Sequence, residues 1–409
     1  MTALYSAGTA RPATTPEPTG PTTGPTPEPT PGLITELITD EEAFAALAPS
    51  WGRLFRRCAA ATPFQSHAWL HSWWLSYGRR GRLRLLVVRA GPELVAAAPL
   101  MLVRRPWPAL VPLGGAISDY TDVLLDDTDD GRAAGALTEA LADAARTALI
   151  DFREVRPGGA VERVYDRWPG PRRTVLDSLC LELPAVPMEE LIARLPSGKS
   201  GQRVRAKLRR LAALGVRRRA VGPEEVDAAL GRLLELHRLQ WQGRKVTGEH
   251  LRPRFREHLV RAAGRMVGSG NAVVTEFLVD GEVLGVDLTL LSGSLAGGYL
   301  YGAHPVLRKR KADVAVMLLE ACAEHSGDGQ RGTLSLLRGD ESYKHHWRPE
   351  RVVNRRLLMA RRRTAPLLTA ALCDATARQR GRELLHRWRE RGEGQSAGGT
   401  GVRPNRTAR

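Results

Sequence analysis

Asp340, Tyr343, Lys344 and Trp347 occupy positions i, i+3, i+4 and i+7. A helix through them would gather a carboxylate, a phenol, an ammonium and an indole on one face. That is an odd composition for core packing. In a partly dry cleft, the compact charge of Lys344 suits a phosphate or a developing oxyanion. The same spacing also suits a capped helix with Asp340 as its N-terminal anion and Lys344 in solvent.

Asp287 interrupts the apolar run from Val283 to Leu291, a costly place for a charge unless it faces a cleft or finds a partner. Alternation puts it on the side of Gly285 and Thr289, so a solvated sheet face is the competing explanation. Cations concentrate in two places. Arg308-Lys309-Arg310-Lys311 makes a basic turn near a helical pattern, in which Arg308, Arg310 and Lys311 are phosphate-binding candidates or simply solvated. Lys199, Arg203, Arg205, Lys207, Arg209 and Arg210 share one helical segment, with Arg217 to Arg219 just beyond it. Val204, Leu208 and Leu211 form its apolar stripe, leaving most of the cations outward, either solvated or available over 199–219 to tRNA or another anionic polymer.

A net charge of +17 favours anionic partners without choosing among them. No apolar stretch approaches the ~20 residues of a membrane-spanning helix. The start Met1-Thr2-Ala3-Leu4-Tyr5 lacks a basic-then-apolar leader, so a cytoplasmic protein is expected. Cys58, Cys180, Cys322 and Cys373 are scattered, and adjacent His345 and His346 point in different helical directions. Neither a disulfide framework nor a metal site is expected.

These groups need elements to hold them. A chain of 409 residues suits two domains plus tails at ~100–200 residues each. Residues 1–32, rich in Pro, Thr and Gly, are predicted to be a disordered tail, and 364–409 a basic helix (366–391) followed by a polar tail. Between them one order of elements occurs twice. Strands at 82–88 and 94–103 around Gly91-Pro92 precede 109–113, a helix at 132–149 and a strand at 152–155. Strands at 271–279 and 283–291 around Asp280-Gly281 precede 295–301, a helix at 311–325 and a strand at 333–337. Helices are predicted ahead of each meander, at 41–60 and 67–77, and at 188–195, 199–214, 223–242 and 253–267. The expected class is mixed α/β with two lobes, 33–184 and 185–363, each a mostly antiparallel mixed sheet flanked by helices.

Local motifs give this order a likeness. They begin with Thr62-Pro63-Phe64-Gln65-Ser66, Trp69, Trp73 and Trp74, then Ala98-Pro99-Leu100, Gly114 and Ser118-Asp119-Tyr120-Thr121-Asp122. Leu236-His237 with Trp241, Asp280-Gly281, Tyr301-Gly302 with Pro305, and Gly339-Asp340-Glu341-Ser342-Tyr343-Lys344 with Trp347 follow. Over most of residues 33–363 the chain resembles the two-lobed GNAT-type acyltransferases of the CelD/BcsL and FemAB-like group.

The resemblance implies transfer of an acyl group to an amine or hydroxyl of a sugar, peptide or envelope precursor. The donor it implies is acetyl-CoA or another acyl-CoA, with aminoacyl-tRNA as the alternative. Tyr343 would return a proton to the departing thiolate, Lys344 would neutralise phosphate or oxyanion, and Trp347 and Asp340 would line the substrate. Asp119 and Tyr120 would contact substrate, and Asp287 leads Asp119, Asp122 and Glu341 as general base. A GNAT phosphate turn carries glycines; here Arg308 to Ala315 supplies four cations, lacks the glycine and includes Asp313. A non-catalytic binding protein with a degenerate donor site is the reading from another class.

Overall fold

Two β-hairpins are set by their turns: Gly91 in the first, and Asp280 and Gly281 in the second, all adopt positive φ. The computed structural model describes residues 32–240, 248–326, 331–377 and 380. The chain begins with β1 (Leu33–Ile38), α1 (Glu41–Ala46), α2 (Ala48–Arg57) and α3 (His67–Tyr77). The first meander is β2 (Leu83–Ala90), β3 (Glu93–Val103) and β4 (Ala109–Pro112), followed by β5 (Leu124–Leu125), α4 (Arg132–Ala144), β6 (Leu149–Val155), α5 (Ala160–Asp166) and β7 (Arg172–Pro184). Next come α6 (Met188–Ala193), α7 (Gly198–Ala213), β8 (Arg217–Ala220), α8 (Val226–Gln240) and α9 (Pro253–Gly268). The second meander is β9 (Ala272–Val279), β10 (Glu282–Leu291) and β11 (Leu295–Ala303), followed by α10 (Pro305–Lys309), α11 (Val314–Ser326), β12 (Thr333–Arg338) and β13 (Glu350–Met359).

The strands form one 13-stranded mixed sheet in the order β1-β2-β3-β4-β6-β13-β7-β12-β11-β10-β9-β8, with β5 pairing β3 off that path. The mixed α/β class holds, and so does the repeated order. Each meander is antiparallel, and a helical crossover brings β6 parallel to β4 and β12 parallel to β11. At the centre β13 inserts between β6 and β7, while β7 pairs β12, so hydrogen bonding continues unbroken across the 184/185 boundary. A buried bidentate pair, Arg356 to Asp151 with both contacts at 2.7 Å, fastens β13 to β6.

Several expected boundaries move. The helix expected at 41–60 breaks at Leu47, with Pro49 in the first turn of α2, where a missing N–H is harmless. The helix expected at 132–149 stops at Ala144. The helix expected at 311–325 starts only at Val314, as α11, and is preceded by the separate short α10 across a turn in which Lys311 adopts φ +58°. The helical face proposed for Asp340 to Trp347 is a correction: only Lys344–Trp347 is helical, as one 3-10 turn. Gly339 at φ +120° and Arg348 in the left-handed region bracket the segment, and an i, i+3 repeat stacks Lys344 and Trp347, both buried. Trp241, the tail 1–31 and most of the expected 366–391 helix lie outside the described residues, although 365–377 is helical.

Helix α8 lies on β11 at Gly302, where a Cβ would overlap the Leu233 carbonyl and come within 2.6 Å of the His237 nitrogen. Gly302→Ala is therefore expected to destabilise the fold by about 1–3 kcal/mol through overpacking. A urea midpoint unchanged from wild type would contradict this close approach.

Candidate active site

β11 and β12 are paired only from Leu295 to Gly297 against Thr333 to Ser335. Beyond Gly297 they part, and β11 continues to Ala303 with its β12-facing edge unpaired. A cavity of about 440 Å³ opens there. Gly298, Tyr301 and Ala303 line one side, Ser335 and Leu336 the other, and Leu318, Leu319 and Cys322 of α11 the wall behind. The corresponding opening between β4 and β6 is filled by the chain itself, because the Thr121 N–H bonds the Glu154 carbonyl at 2.9 Å.

A bulge shapes the β11 wall. Leu288 pairs with Leu300 but Thr289 pairs with Gly298, so Tyr299 is the extra residue. Its ring packs 5.1 Å from that of Trp69 and its hydroxyl donates to the Ile117 carbonyl at 2.9 Å. The bulge leaves Gly298 exposed at the cavity. A glycine inside a strand is a sequence signal for such a bulge, and Gly297-Gly298 could have located this wall.

Asp287 lies on β10 opposite Tyr301, lines the cavity and is 3% exposed. The Thr289 hydroxyl donates to its Oδ2 at 2.7 Å. Burial pushes its carboxyl up to about 7, against a smaller lowering by Thr289. The solvated sheet face considered for it is excluded. Cys322, also lining the cavity, has its thiol pushed up to about 12 by burial and then by Asp287, so it is a neutral wall group.

The turn after β12 brings Tyr343, Lys344 and Trp347 to the same cavity. Tyr343 is half-exposed, and burial of its ring followed by the charge of Glu341 raises its pKa, so the phenol holds its proton at neutral pH. Lys344 is not in solvent: it is 5% exposed, donates to the Arg338 carbonyl at 3.0 Å and pairs with Glu341 at 2.8 Å. Asp340 points elsewhere, to His345 at 2.5 Å and Arg351 at 3.6 Å.

Of the basic turn, Arg308 lines the cavity, whereas Arg310 pairs with Asp280 at 2.6 Å and Lys311 occupies the left-handed position. Asp313 caps α11, accepting from the Val316 N–H at 3.1 Å, and pairs with Lys207 of α7 at 2.7 Å. Its charge is thus compensated at the helix start.

The Ser118 to Asp122 motif does not line the cavity. Asp119 and Glu154 hold the Arg338 guanidinium, which also donates to the Ala116 carbonyl at 2.6 Å. Tyr120 is buried, with its hydroxyl against Ser335 at 2.9 Å and Glu182 at 3.1 Å, and Arg156 clamps Glu182. Asp122 accepts from the Ala160 and Val161 N–H groups, both at 2.7 Å, and burial pushes its carboxyl up to about 7. These residues knot the first meander's loop to β12, β7 and α5. Sequence reasoning missed Ser335, Gln240 and Cys322 as lining groups, because nothing in their spacing ties them to Asp287.

Among the described residues no group of three or more metal-ligating side chains is assembled. No helix among them is long and apolar enough to cross a membrane.

Residues 198–345 match the family model described as acetyltransferase (GNAT) domain. No curated protein sequence matches the chain. Among solved structures, FemX aligns at TM-score 0.53 with 12% identity, covering 82% of this chain and 99% of that one. The C-terminal domain described as belonging to a lysylphosphatidylglycerol synthetase from Agrobacterium fabrum aligns at 0.51 with 13% identity, covering 82% and 97%. L-PGS from Bacillus licheniformis aligns at 0.50 with 12% identity, covering 83% and 97%. The divergent β11–β12 pair with its cavity lies within the segment that matches the acetyltransferase (GNAT) domain, so residues 198–345 form a GNAT-type domain, in a fold shared with FemX.

Proposed function

We propose that the protein transfers an acyl group from a thioester donor, with acetyl-CoA or another acyl-CoA as the simplest, to an amine or hydroxyl of a sugar, peptide or envelope precursor in the cytoplasm. The acceptor class follows the CelD/BcsL and FemAB-like resemblance of the motifs. The observation that carries the chemistry is Asp287, a carboxyl raised to about 7 by burial, inside the cavity where β11 leaves β12. A base with a pKa near the working pH is well matched to proton removal.

For an amine acceptor, Asp287 takes a proton from the nitrogen, which attacks the thioester carbonyl. Backbone N–H groups at the Gly298 bulge face the oxyanion of the tetrahedral intermediate. The C–S bond then breaks, and Tyr343 returns a proton to the thiolate. The free β11 edge suits an extended amide-bearing arm, which can bond to unpaired strand groups as an added strand would. Arg308 meets the donor phosphate at the cavity mouth. Lys344 acts by holding the 338–344 turn closed through the Arg338 carbonyl, and Trp347 packs beneath it.

Calorimetric titration with acetyl-CoA tests the donor site. Saturable binding is expected, weakened about 10-fold in Arg308→Ala, since a hydrogen bond to a charged group contributes about 1.5–3 kcal/mol. No saturable binding by the folded protein would count against a thioester donor of this kind. Tyr343→Phe is expected to lower kcat about 10–100-fold with KM little changed, within the usual range for one acid–base group. An unchanged kcat when chemistry limits turnover would remove Tyr343 from the mechanism.

A further inference from the structure

We propose that the cationic face of α7 docks an acidic carrier protein whose 4′-phosphopantetheine arm presents the acyl thioester to the cavity. The inference rests on the acyl-transfer reading and specifies its donor. Lys199, Arg203, Lys207 and Arg210 stand at i, i+4, i+8 and i+11 on α7, one stripe of the helix. One end of that stripe is fixed at the cavity mouth. Lys207 holds Asp313 at 2.7 Å, and Arg210 donates to the Arg310 carbonyl at 2.9 Å. From Arg210 the stripe runs eleven residues to Lys199, about 16 Å along the helix.

Lys199 and Arg203 are exposed and have no acidic partner among the described residues. Lys199, at the far end of the stripe, extends the cationic surface away from the mouth, so the stripe calls for a ligand with charge spread over a surface rather than for a single phosphate at Arg308. The cavity adds the second constraint. Its volume of about 440 Å³ is near the lower end of the ~300–1,000 Å³ typical of ligand pockets. It suits an apolar, amide-bearing arm better than an arm with its nucleotide. At the mouth, Asp313 already caps α11 beside Arg308, an arrangement that favours one phosphate over a polyphosphate.

A polynucleotide would match the charge alone. Single-stranded RNA also uses aromatic platforms for its bases, and neither α7 nor α10 carries an aromatic residue. An acidic protein surface needs no such platform. The chemistry balances without a further reactant: the acyl C–S bond breaks, the new acyl bond to the acceptor forms, and the arm's thiol regains a proton.

Fluorescence anisotropy would compare a holo carrier protein bearing a non-hydrolysable acyl thioether, the apo carrier protein, acetyl-CoA and an RNA oligonucleotide. The holo carrier is expected to bind more tightly than the apo form and to lose affinity as salt rises. The double substitution Lys199→Glu and Arg203→Glu, verified as folded by circular dichroism, is expected to weaken the holo carrier about 10-fold and acetyl-CoA less than about 2-fold. Carrier affinity that ignores the charge reversal overturns the inference, as does loss of affinity for RNA alone. Acetyl-CoA binding without carrier binding sinks this inference and leaves the acyl-transfer reading standing. Failure of every pantetheine-bearing ligand to bind sinks both.

Discussion

Asp287→Asn is expected to lower kcat/KM for transfer to an amine about 10²–10⁴-fold, the range for a positioned acid–base group. Wild-type kcat/KM should rise with pH through about 7, as the Asp287 carboxyl loses its proton, and the variant should lack that limb. Stability should move the other way. The folded pKa of Asp287 is raised from 3.8 to about 7 by burial. The favourable contribution of its protonated form is present below the unfolded pKa and is lost as pH rises through the folded one. At pH 8 the wild type therefore holds a buried carboxylate that Asn does not. At ~1.4 kcal/mol per pKa unit, Asp287→Asn should stabilise the protein by about 2–4 kcal/mol there. An active Asn variant, or one less stable than wild type at pH 8, would contradict the role and the burial respectively.

The second large effect lies where α3 meets α9. His258 is fully buried, edge-on to Trp69 at 4.6 Å, and neither ring nitrogen has a well-formed hydrogen bond. His71 stacks on His67 at 5.3 Å, and Arg265 approaches its Nδ1 at 3.2 Å. Arg261 reaches the Ser72 carbonyl and Ser76, while Tyr77, Glu249 and Arg254 sit at the rim. Burial first, then Arg261, lowers His258 to about 3 against a smaller rise from the Ser72 backbone; burial, His67 and both arginines lower His71 to about 4.

Folded pKa values below the unfolded 6.5 mean that the unfolded chain takes up protons first. Stability from these rings is present above pH 6.5 and lost as pH falls toward 4. At pH 5 the loss is about 2 kcal/mol for each ring. Asp122 and Asp287, raised to about 7, have the opposite sign over part of this range, so the informative quantity is a difference. Between pH 7.5 and 5, His258→Phe should gain about 2 kcal/mol relative to wild type in urea unfolding. Adding His71→Phe should bring the gain to about 4 kcal/mol. A packing penalty from the larger rings would not vary with pH. A difference that stays flat across the range would show that these rings are not held neutral by the fold.

Much of the frame was legible without the structure. Leu83 to Val103 and Ala272 to Leu291 alternate around turn residues that favour positive φ, so both hairpins could be read locally. The outward cations of α7 follow from the apolar spacing of Val204, Leu208 and Leu211. The oddity of a charge at Asp287 was equally visible, because it breaks an apolar strand.

Other elements were not legible. β13 was missed because Glu350 to Met359 mixes Arg and Asn with apolar residues, and its partners β6 and β7 lie well over a hundred residues earlier. β1, with four consecutive exposed residues, shows little of the buried-face pattern from which strands are inferred. The Asp119-Tyr120 motif carries chemistry-bearing side chains, yet their partners Arg338, Ser335 and Glu182 come from β12 and β7.

By itself, the sequence determined the two meanders, most of the helices and the charge surface, because periodicity and turn chemistry act over a few residues. Tertiary structure alone decided which carboxylate is buried in the cavity, which polar residues tie the structure together, and where two strands part. Those outcomes depend on desolvation and on pairings between residues far apart in the chain, and neither leaves a local trace.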